Sequence, residues 1–459
     1  LPRRATSNPM PTAPDFKPAP ALTKRIPEDR ARRATVSYEQ YVATGGYQAL
    51  RKALSMQPAE VVELVKGAVV RGRGGAGFPA GLKWGFMPPP DGGPRYLAIN
   101  CDEAEPGTFK DRLLVDFDPH QVLEGIAIAM HACQLHTAYF FIRGEYHHQA
   151  KVFQKALEEA CANGVFGSAG LMRGAGKLPA EVVLHRSAGA YICGEETALL
   201  EAVEGKRGWP RVKPPFPAVK GLFGRPTLIN NVETLAAAVH VVENGLDGWK
   251  KLGVESTIGG MPSYGTKLMG VSGHVNRPNV YELELGIPLR TLVEKHCGGM
   301  RNGKRFKAAI AGGVSMGVLG TDQFDAPMDF DIGRRYDVLG LGTACPTVFD
   351  EDTDMVAVAR NVSRFFKNES CGQCTPCREG SGWLLKLLTR IEKGAGTTQD
   401  LDMLLEIAGS MGLTPGTTIC GLADGTNWAI RTIVNKFRPE FEKRVSPRFV
   451  PVYVSAAGR

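Results

Sequence analysis

The sequence predicts an α/β protein in which helices layer a mostly parallel sheet, followed by a smaller β-rich segment and a helical C-terminal segment. Three observations predict it. Helix and strand patterns alternate over residues 58–200, and short strands with Gly and Pro turns fill about 264–345. Helical periodicity then returns around a cluster of cysteines near the C-terminus. At 459 residues the chain exceeds one compact core, so about two to four domains are expected.

The elements follow in order. Residues 58–70 read as a helix, with Pro58 at its start and Val61, Leu64, Val65, Ala68 and Val69 on one face. A glycine-dense loop, Arg71-Gly-Arg-Gly-Gly-Ala-Gly-Phe-Pro79, comes next. A strand at 95–100 runs into the acidic loop Cys101-Asp-Glu-Ala-Glu-Pro-Gly107. A helix over about 119–135, a strand at 137–143, a helix at 146–162 and a strand at 181–186 complete the alternation. The loop Ser187-Ala-Gly-Ala-Tyr-Ile-Cys-Gly194 then opens a helix at Glu195, and residues 205–226 form a Pro/Gly/basic loop. No internal repeat is visible.

Charge excludes a broad function class. The formal net charge is +8, but residues 1–33 hold eight basic residues against three acids and carry +5 of it. A basic tail on a nearly balanced body does not point to nucleic acid, and no nucleic-acid partner is expected. No stretch approaches the ~18 apolar residues of a membrane span. The Pro-rich start reads as a flexible basic arm rather than a secretory signal.

Six of the ten cysteines are scattered, while Cys371, Cys374 and Cys377 form Cys-x-x-Cys-x-x-Cys, with Cys420 43 residues beyond Cys377. A disulfide framework does not suit this pattern, and a reducing compartment with one metal centre does. Three thiolates in one turn wrap three corners of an iron–sulfur cubane, and a compact ferredoxin run would bring its fourth at position 381, which here is Ser381. Cys420, in a loop between helical patterns, is preferred over Cys345 as the fourth ligand. The alternative is a four-cysteine zinc site, although zinc more often pairs two Cys-x-x-Cys hooks. Gly372 and Pro376 are expected to keep the ligand run out of helix, aiming backbone N–H groups at the sulfurs.

Gly72-x-Gly74-x-x-Gly77 formally matches the dinucleotide fingerprint, but a helix precedes it where a strand is required, so this is not a GxGxxG Rossmann site. Its glycines, including Gly75, still permit close backbone approach to a flat or phosphorylated ligand, with Arg71, Arg73 and Lys83 for charge. Carboxylates in Asp102-Glu103-x-Glu105 and Glu195-Glu196 suit ribose or ribityl hydroxyls; helix N-terminal compensation is the plainer reading of Glu195 and Glu196. Asn230-Asn231-x-Glu233-Thr234 reads as a helix N-terminus, either ordinary capping or a phosphate seat. Phe78, Phe86 and Phe216 could stack on an aromatic ligand, though core packing is the commoner role.

Taken together, the glycine loop, Asn100 with Asp102 to Arg112, Gly189 to Leu199, Lys213-Pro-Pro-Phe-Pro217, Asn230-Asn-Val-Glu-Thr234 and Glu369 to Gly380 resemble the 51-kilodalton flavoprotein subunit of respiratory complex I. The resemblance spans roughly residues 38–445. It implies a Rossmann-like domain binding FMN and NADH over 38–260, a β-grasp (SLBB-like) domain over 261–346 and a helical bundle with one [4Fe–4S] cluster over 347–445. The arm at 1–37 and a tail at 446–459 flank them.

The resemblance implies FMN held by Gly72, Arg73, Gly74, Gly75, Lys83, Asn100, Asp102, Glu103, Tyr191, Gly194, Glu195, Asn230, Asn231 and Thr234. It implies NAD(H) stacked over the flavin near Phe78, Phe86, Glu105, Glu196, Lys213 and Phe216, with Glu105 and Glu195 as the catalytic carboxylates. Cluster ligands are then Cys371, Cys374, Cys377 and Cys420. The activity implied is NADH:quinone oxidoreduction, by hydride transfer to flavin and single-electron transfer to the cluster. Implied partners are the thioredoxin-like [2Fe–2S] subunit and the multi-cluster subunit of the same complex. The expected location is peripheral, on the cytoplasmic side of the bacterial inner membrane, or the matrix side in mitochondria. A diaphorase subunit of a soluble NAD-linked hydrogenase or formate dehydrogenase, and a zinc-stapled scaffold, are the alternatives. Ser187, the stretch Gly312-Gly-Val-Ser315 and Gly421-Leu-Ala-Asp-Gly425 after Cys420 depart from the family's usual residues.

Overall fold

The first sheet is built around a central strand, β1 (Tyr96–Cys101), with β2 (Thr137–Ile142), β3 (Glu181–Arg186) and β4 (Thr227–Asn231) in the order β3-β2-β1-β4, all parallel. These are from a computed structural model that describes residues 20–167, 180–256, 258–412 and 417–447. Residues 1–19 of the expected arm and 448–459 of the expected tail lie outside the described residues.

Alternation along the strands feeds two cores. Leu97, Ile99, Ala138 and Phe140 join one with the helices Pro119–Ala132 and Val232–Lys250. Ala98, Phe141 and Ile229 point the other way, into a core shared with the Glu196–Val203 helix and with C-terminal helices through Phe366, Leu384 and Ile430. The helices Met355–Glu369, Thr375–Glu392, Thr398–Ser410 and Leu422–Lys436 therefore pack into the same interior as the sheet's second face. Both faces being covered explains why the strands read as near-continuous apolar runs.

The chain crosses from β1 to β2 on one side, whereas β4 pairs on the other, with Asn100 opposite Asn231. The carboxyl ends of β1 and β4 thus flank a topological switch point, where open α/β sheets bind ligands. Sequence periodicity misses β4. It is five residues long, and its last residue, Asn231, already caps the next helix by accepting from the Glu233 N–H at 3.0 Å.

A second, mixed sheet runs Val318–Leu319, Phe306–Ile310, Thr347–Asp350, Thr266–Gly273, Asn279–Glu284, with its own core from Met269 to Val348. A buried charge cluster joins the two sheets: Glu233 takes Lys267 at 2.6 Å and Lys110 at 2.9 Å, and Lys110 also holds Asp111 at 2.7 Å. Burial works against its charge, but Lys110 and Lys267 outweigh it and hold the Glu233 carboxyl at about 2.

The expected arm needs correcting where it is described. The N–H groups of Ala21, Leu22 and Thr23 all donate to the Glu282 carboxylate, at 2.9, 2.8 and 2.7 Å. Arg25 forms a buried ion pair with Asp118 at 2.8 Å, and Leu22 is fully buried. Of the basic residues expected in a flexible arm, Lys24 and Arg25 are counter-ions to Glu243 and Asp118 of the first sheet unit, while the backbone before them holds Glu282 of the second.

Candidate functional site

A cavity of about 560 Å³ opens at the switch point, within the usual size of small-molecule sites. Its floor is the acidic loop after β1, with Asn100, Asp102, Glu103 and Glu105. Gly74 and Gly75 of the glycine loop, Asn231 of β4, and Tyr191, Gly194 and Glu195 line other sides. The second sheet unit supplies the remaining wall, including Gly312, Ser315, Phe330, Asp331 and Leu339 to Thr343.

The glycine loop is a closed turn rather than a strand-to-helix crossing. Arg71 bridges to Pro79, and the Gly72 N–H donates to the Phe78 carbonyl at 2.9 Å. It connects the helices Pro58–Gly67 and Ala80–Gly85. A Cβ on Gly72 would meet that carbonyl at 2.9 Å, so the turn closes only with glycine.

Asp102 and Glu103 look alike in sequence and differ in space. Glu103 accepts from the N–H groups of Lys110, Asp111 and Arg112 and from the Tyr146 hydroxyl, so it anchors the Asp111–Phe117 helix. Asp102 is buried, yet neither carboxylate oxygen has a hydrogen-bond partner among the described residues, and burial pushes it up to about 7. A buried acid without a donor, lining a cavity, fits a hydroxyl-bearing ligand. Glu105 accepts from the Tyr191 hydroxyl at 2.5 Å, and burial raises it.

Several expected residues serve the site from behind the wall. Arg73 keeps its side chain off the cavity: its guanidinium is fully buried between Trp249 and Phe330, and burial lowers it to about 10. Its backbone N–H donates to the Thr234 hydroxyl at 2.9 Å, and Asn230 accepts from Trp84 Nε1 at 2.8 Å. These bonds pin the loop and the β4 end. Arg71, which lines the cavity and pairs with Asp331 at 3.1 Å, is the arginine the sequence reading left out of its ligand set. Alternate arginines around glycines carry no signal that separates the two.

A second group lies beside the cavity, linked through Glu195. Glu195 Oε2 caps the Glu196–Val203 helix at Thr197 N (2.8 Å) and Ala198 N (2.9 Å), while Lys213 reaches Oε1 at 3.4 Å. The capping reading therefore describes one oxygen of Glu195. Glu196 pairs with both Lys83 and Lys213 at 2.9 Å; burial opposes its charge, but the two ammonium groups outweigh it and hold it at about 2. Phe78, Phe86 and Phe216, adjoining Lys83 and Lys213 in sequence, are 47%, 59% and 59% exposed. Solvent-facing aromatics rule out core packing as their role and present a stacking surface.

Cys371, Cys374, Cys377 and Cys420 line one small pocket, whereas Cys345 is buried in the second unit. No group of three or more His, Cys, Asp or Glu among the described residues is gathered tightly enough for one metal ion. Four thiols around a common space, three of them from one Cys-x-x-Cys-x-x-Cys run, are a donor set that suits a cubane. Burial pushes Cys420 up to about 12, so cationic iron is what would make it a thiolate. The expectation that Pro376 keeps this run out of helix is wrong: the Thr375–Glu392 helix starts with Pro376 in its first turn and holds Cys377. Proline fits there because first-turn N–H groups have no intrahelical partner. Ile192, Cys420 and Leu422 line both this pocket and the large cavity, making a shared wall.

Comparison with known proteins agrees with this geometry. Residues 65–240 match the Nuo51 FMN-binding domain, 268–319 the SLBB domain, and 357–444 the NADH-ubiquinone oxidoreductase-F iron-sulfur binding region. Rhizobium meliloti (strain 1021) has two NADH-quinone oxidoreductase F subunits, and the chain is 48% identical to the second over 414 residues, covering 90% of this chain and 95% of that one. It is 44% identical to the mitochondrial NADH dehydrogenase [ubiquinone] flavoprotein 1 of Dictyostelium discoideum, covering 88% and 82%. Among solved structures, the NAD+-reducing [NiFe]-hydrogenase in the air-oxidized state superposes with a TM-score of 0.77 at 33% identity, covering 92% of this chain and 69% of that one.

Proposed function

Because the chain belongs to the family of NADH-quinone oxidoreductase F subunits, the 51 kDa flavoproteins with FMN and an iron–sulfur centre, we propose that the switch-point cavity is its flavin site and the four-cysteine pocket its cluster site. The wall shared by Ile192, Cys420 and Leu422 is the single observation that carries this reading. When bound, FMN accepts the hydride of NADH, and a [4Fe–4S] cluster carries the electrons onward one at a time.

The chain's own residues bind, orient and shield. Gly74 and Gly75 would let the flavin approach the backbone, and Asp102 would accept from its hydroxyls. Lys83 and Lys213 hold Glu196 ionised at every working pH. Phe78, Phe86 and Phe216 offer the faces on which NADH would stack, and the second sheet unit walls one side of the cavity. Glu105 and Glu195 are the carboxylates assigned to the reacting end. Cys371, Cys374, Cys377 and Cys420 would hold the cluster.

The mixed sheet with its packed 289–296 helical segment supports a β-grasp assignment for the expected 261–346, carried on by the Thr347–Asp350 strand to 350, beside the flavin domain at 38–260 and the helices that follow. No helix among the described residues is long and apolar enough to cross a membrane, which supports a peripheral position. The thioredoxin-like [2Fe–2S] subunit and the multi-cluster subunit are the partners assigned, at the bacterial inner membrane or the matrix side. The hydrogenase superposition favours a second reading, a diaphorase subunit with the same chemistry and other partners. Relatives at 44–48% identity weigh toward the quinone-linked complex.

Glu196, negative near the adenosine end of NADH, is assigned to repel a 2′-phosphate. In the FMN- and iron-loaded chain, anaerobic NADH is expected to bleach the flavin promptly and NADPH hardly at all. Glu196→Gln is expected to narrow that preference about tenfold or more. An unchanged NADH-to-NADPH ratio would sink the assignment.

A further inference from the structure

The stretch Gly312-Gly-Val-Ser315, one of the departures from the family's usual residues, is used by neither the glycine loop nor the cysteines. It follows the Phe306–Ile310 strand of the second sheet and turns against the acidic loop of the first. The Ser315 N–H donates to Glu105 Oε1 at 2.8 Å, and the Ser315 hydroxyl donates to Oε2 at 3.0 Å. Tyr191 donates to the same Oε2 at 2.5 Å, and its hydroxyl lies 3.1 Å from that of Ser315.

The loop is shaped around this carboxylate. Gly313 has φ +100°, and a Cβ there would lie 2.4 Å from Glu105 Cγ, so only glycine admits the side chain. A Cβ on Gly425, in the Leu422–Lys436 helix behind, would lie 2.9 Å from Ser315 Cβ. Val314 stands between Gly313 and Ser315, so Ser315 carries the one side-chain hydroxyl of the loop. Glu105 thus receives three donors, two from one residue of the other sheet unit.

We propose that Gly313 to Ser315 form a carboxylate clamp, with Ser315 a positioning residue that fixes Glu105 at the cavity wall and thereby sets how NADH is held against the flavin. This rests on the flavin-cavity reading above. A free glutamate side chain samples many rotamers, and a charge-assisted pair of bonds selects one. The second sheet unit thereby acts on the reacting end through a single carboxylate.

The test is a double-mutant cycle in the full, FMN- and cluster-loaded chain. Ser315→Ala is expected to retain FMN with little change in affinity, while raising the NADH concentration for half-maximal anaerobic flavin bleaching about tenfold, the size of one hydrogen bond to a charge. Spectroelectrochemical titration is expected to place the flavin midpoint potential higher in Glu105→Gln, which removes a negative charge at the wall, and to change it in Ser315→Ala, which keeps that charge but releases its position. In the Glu105→Gln background, Ser315→Ala should add nothing to either readout. With Glu105 in place, Ser315→Thr, which keeps the hydroxyl, should hold both readouts near the unsubstituted values. Additive effects, or wild-type affinity and potential in Ser315→Ala, overturn the clamp. If NADH fails to bleach even the wild-type flavin, the reading beneath is lost, and the potentials still decide the clamp.

Discussion

Asp102 is a buried carboxylate with no hydrogen-bond donor among the described residues, its charge favoured only by the Arg143 guanidinium. Its pKa rises from an ordinary 3.8 to about 7 because burial disfavours the carboxylate. A raised folded value means that its stabilising contribution is full below the unfolded pKa and is lost as pH climbs through about 7. Asp102→Asn is therefore expected to stabilise the flavin-free chain by up to about 4 kcal/mol at pH 8 but by less than about 2 kcal/mol at pH 5, in urea unfolding. The same change should weaken FMN binding about tenfold. Equal stability of the two flavin-free chains at both pH values would refute the unpaired-charge account. The sequence reading brought Asp102, Glu103 and Glu105 to one site through a single loop. It did not distinguish the free carboxylate from the two that are bonded, because their donors come from residues as distant as Tyr146, Tyr191 and Ser315.

Elements were legible where periodicity runs long. The strand at 181–186 and the Asn231 cap stand where the pattern put them. β4 was not legible, since a five-residue strand ending in its own helix cap has no room to show a period. Pro376 misled because proline both breaks helices and begins them, and its position in the first turn of Thr375–Glu392 is set by what precedes it. The Val232–Lys250 helix carries the firmest prediction at this scale. Glu233, fully buried, pairs with Lys110 and Lys267 and accepts the Leu268 N–H at 2.9 Å. Glu233→Ala strands the buried Lys267 ammonium and leaves Lys110 with Asp111 alone, and is expected to cost about 3 kcal/mol or more. Denaturant midpoints of the purified chain would show it, and a shift below about 1 kcal/mol would contradict the hub.

At the scale of the whole molecule, the cavity proposed for the flavin belongs to no single unit. Its floor comes from the first sheet, one wall from the second, and another is shared with the cysteine pocket. The described arm ties the two sheets together, through Glu282 on one and Asp118 on the other. Deleting residues 20–33, or replacing Glu282 with Ala, is expected to lower stability by about 3 kcal/mol and to speed loss of bound flavin, read as released FMN fluorescence. Flavin retention unchanged by both would show that the strap leaves the cavity alone. None of this was legible as tertiary structure, because counting charges reveals a basic arm but not the acids it meets. The central claim is that electrons entering at the switch-point cavity leave through the wall of Ile192, Cys420 and Leu422. The most direct measurement is anaerobic addition of NADH to the loaded chain, following flavin absorbance and the low-temperature EPR of the cluster together. Bleached flavin with a new signal from one reduced [4Fe–4S] cluster, lost in Cys420→Ser while bleaching persists, is the predicted result; bleached flavin beside an intact cluster that stays EPR-silent would contradict it.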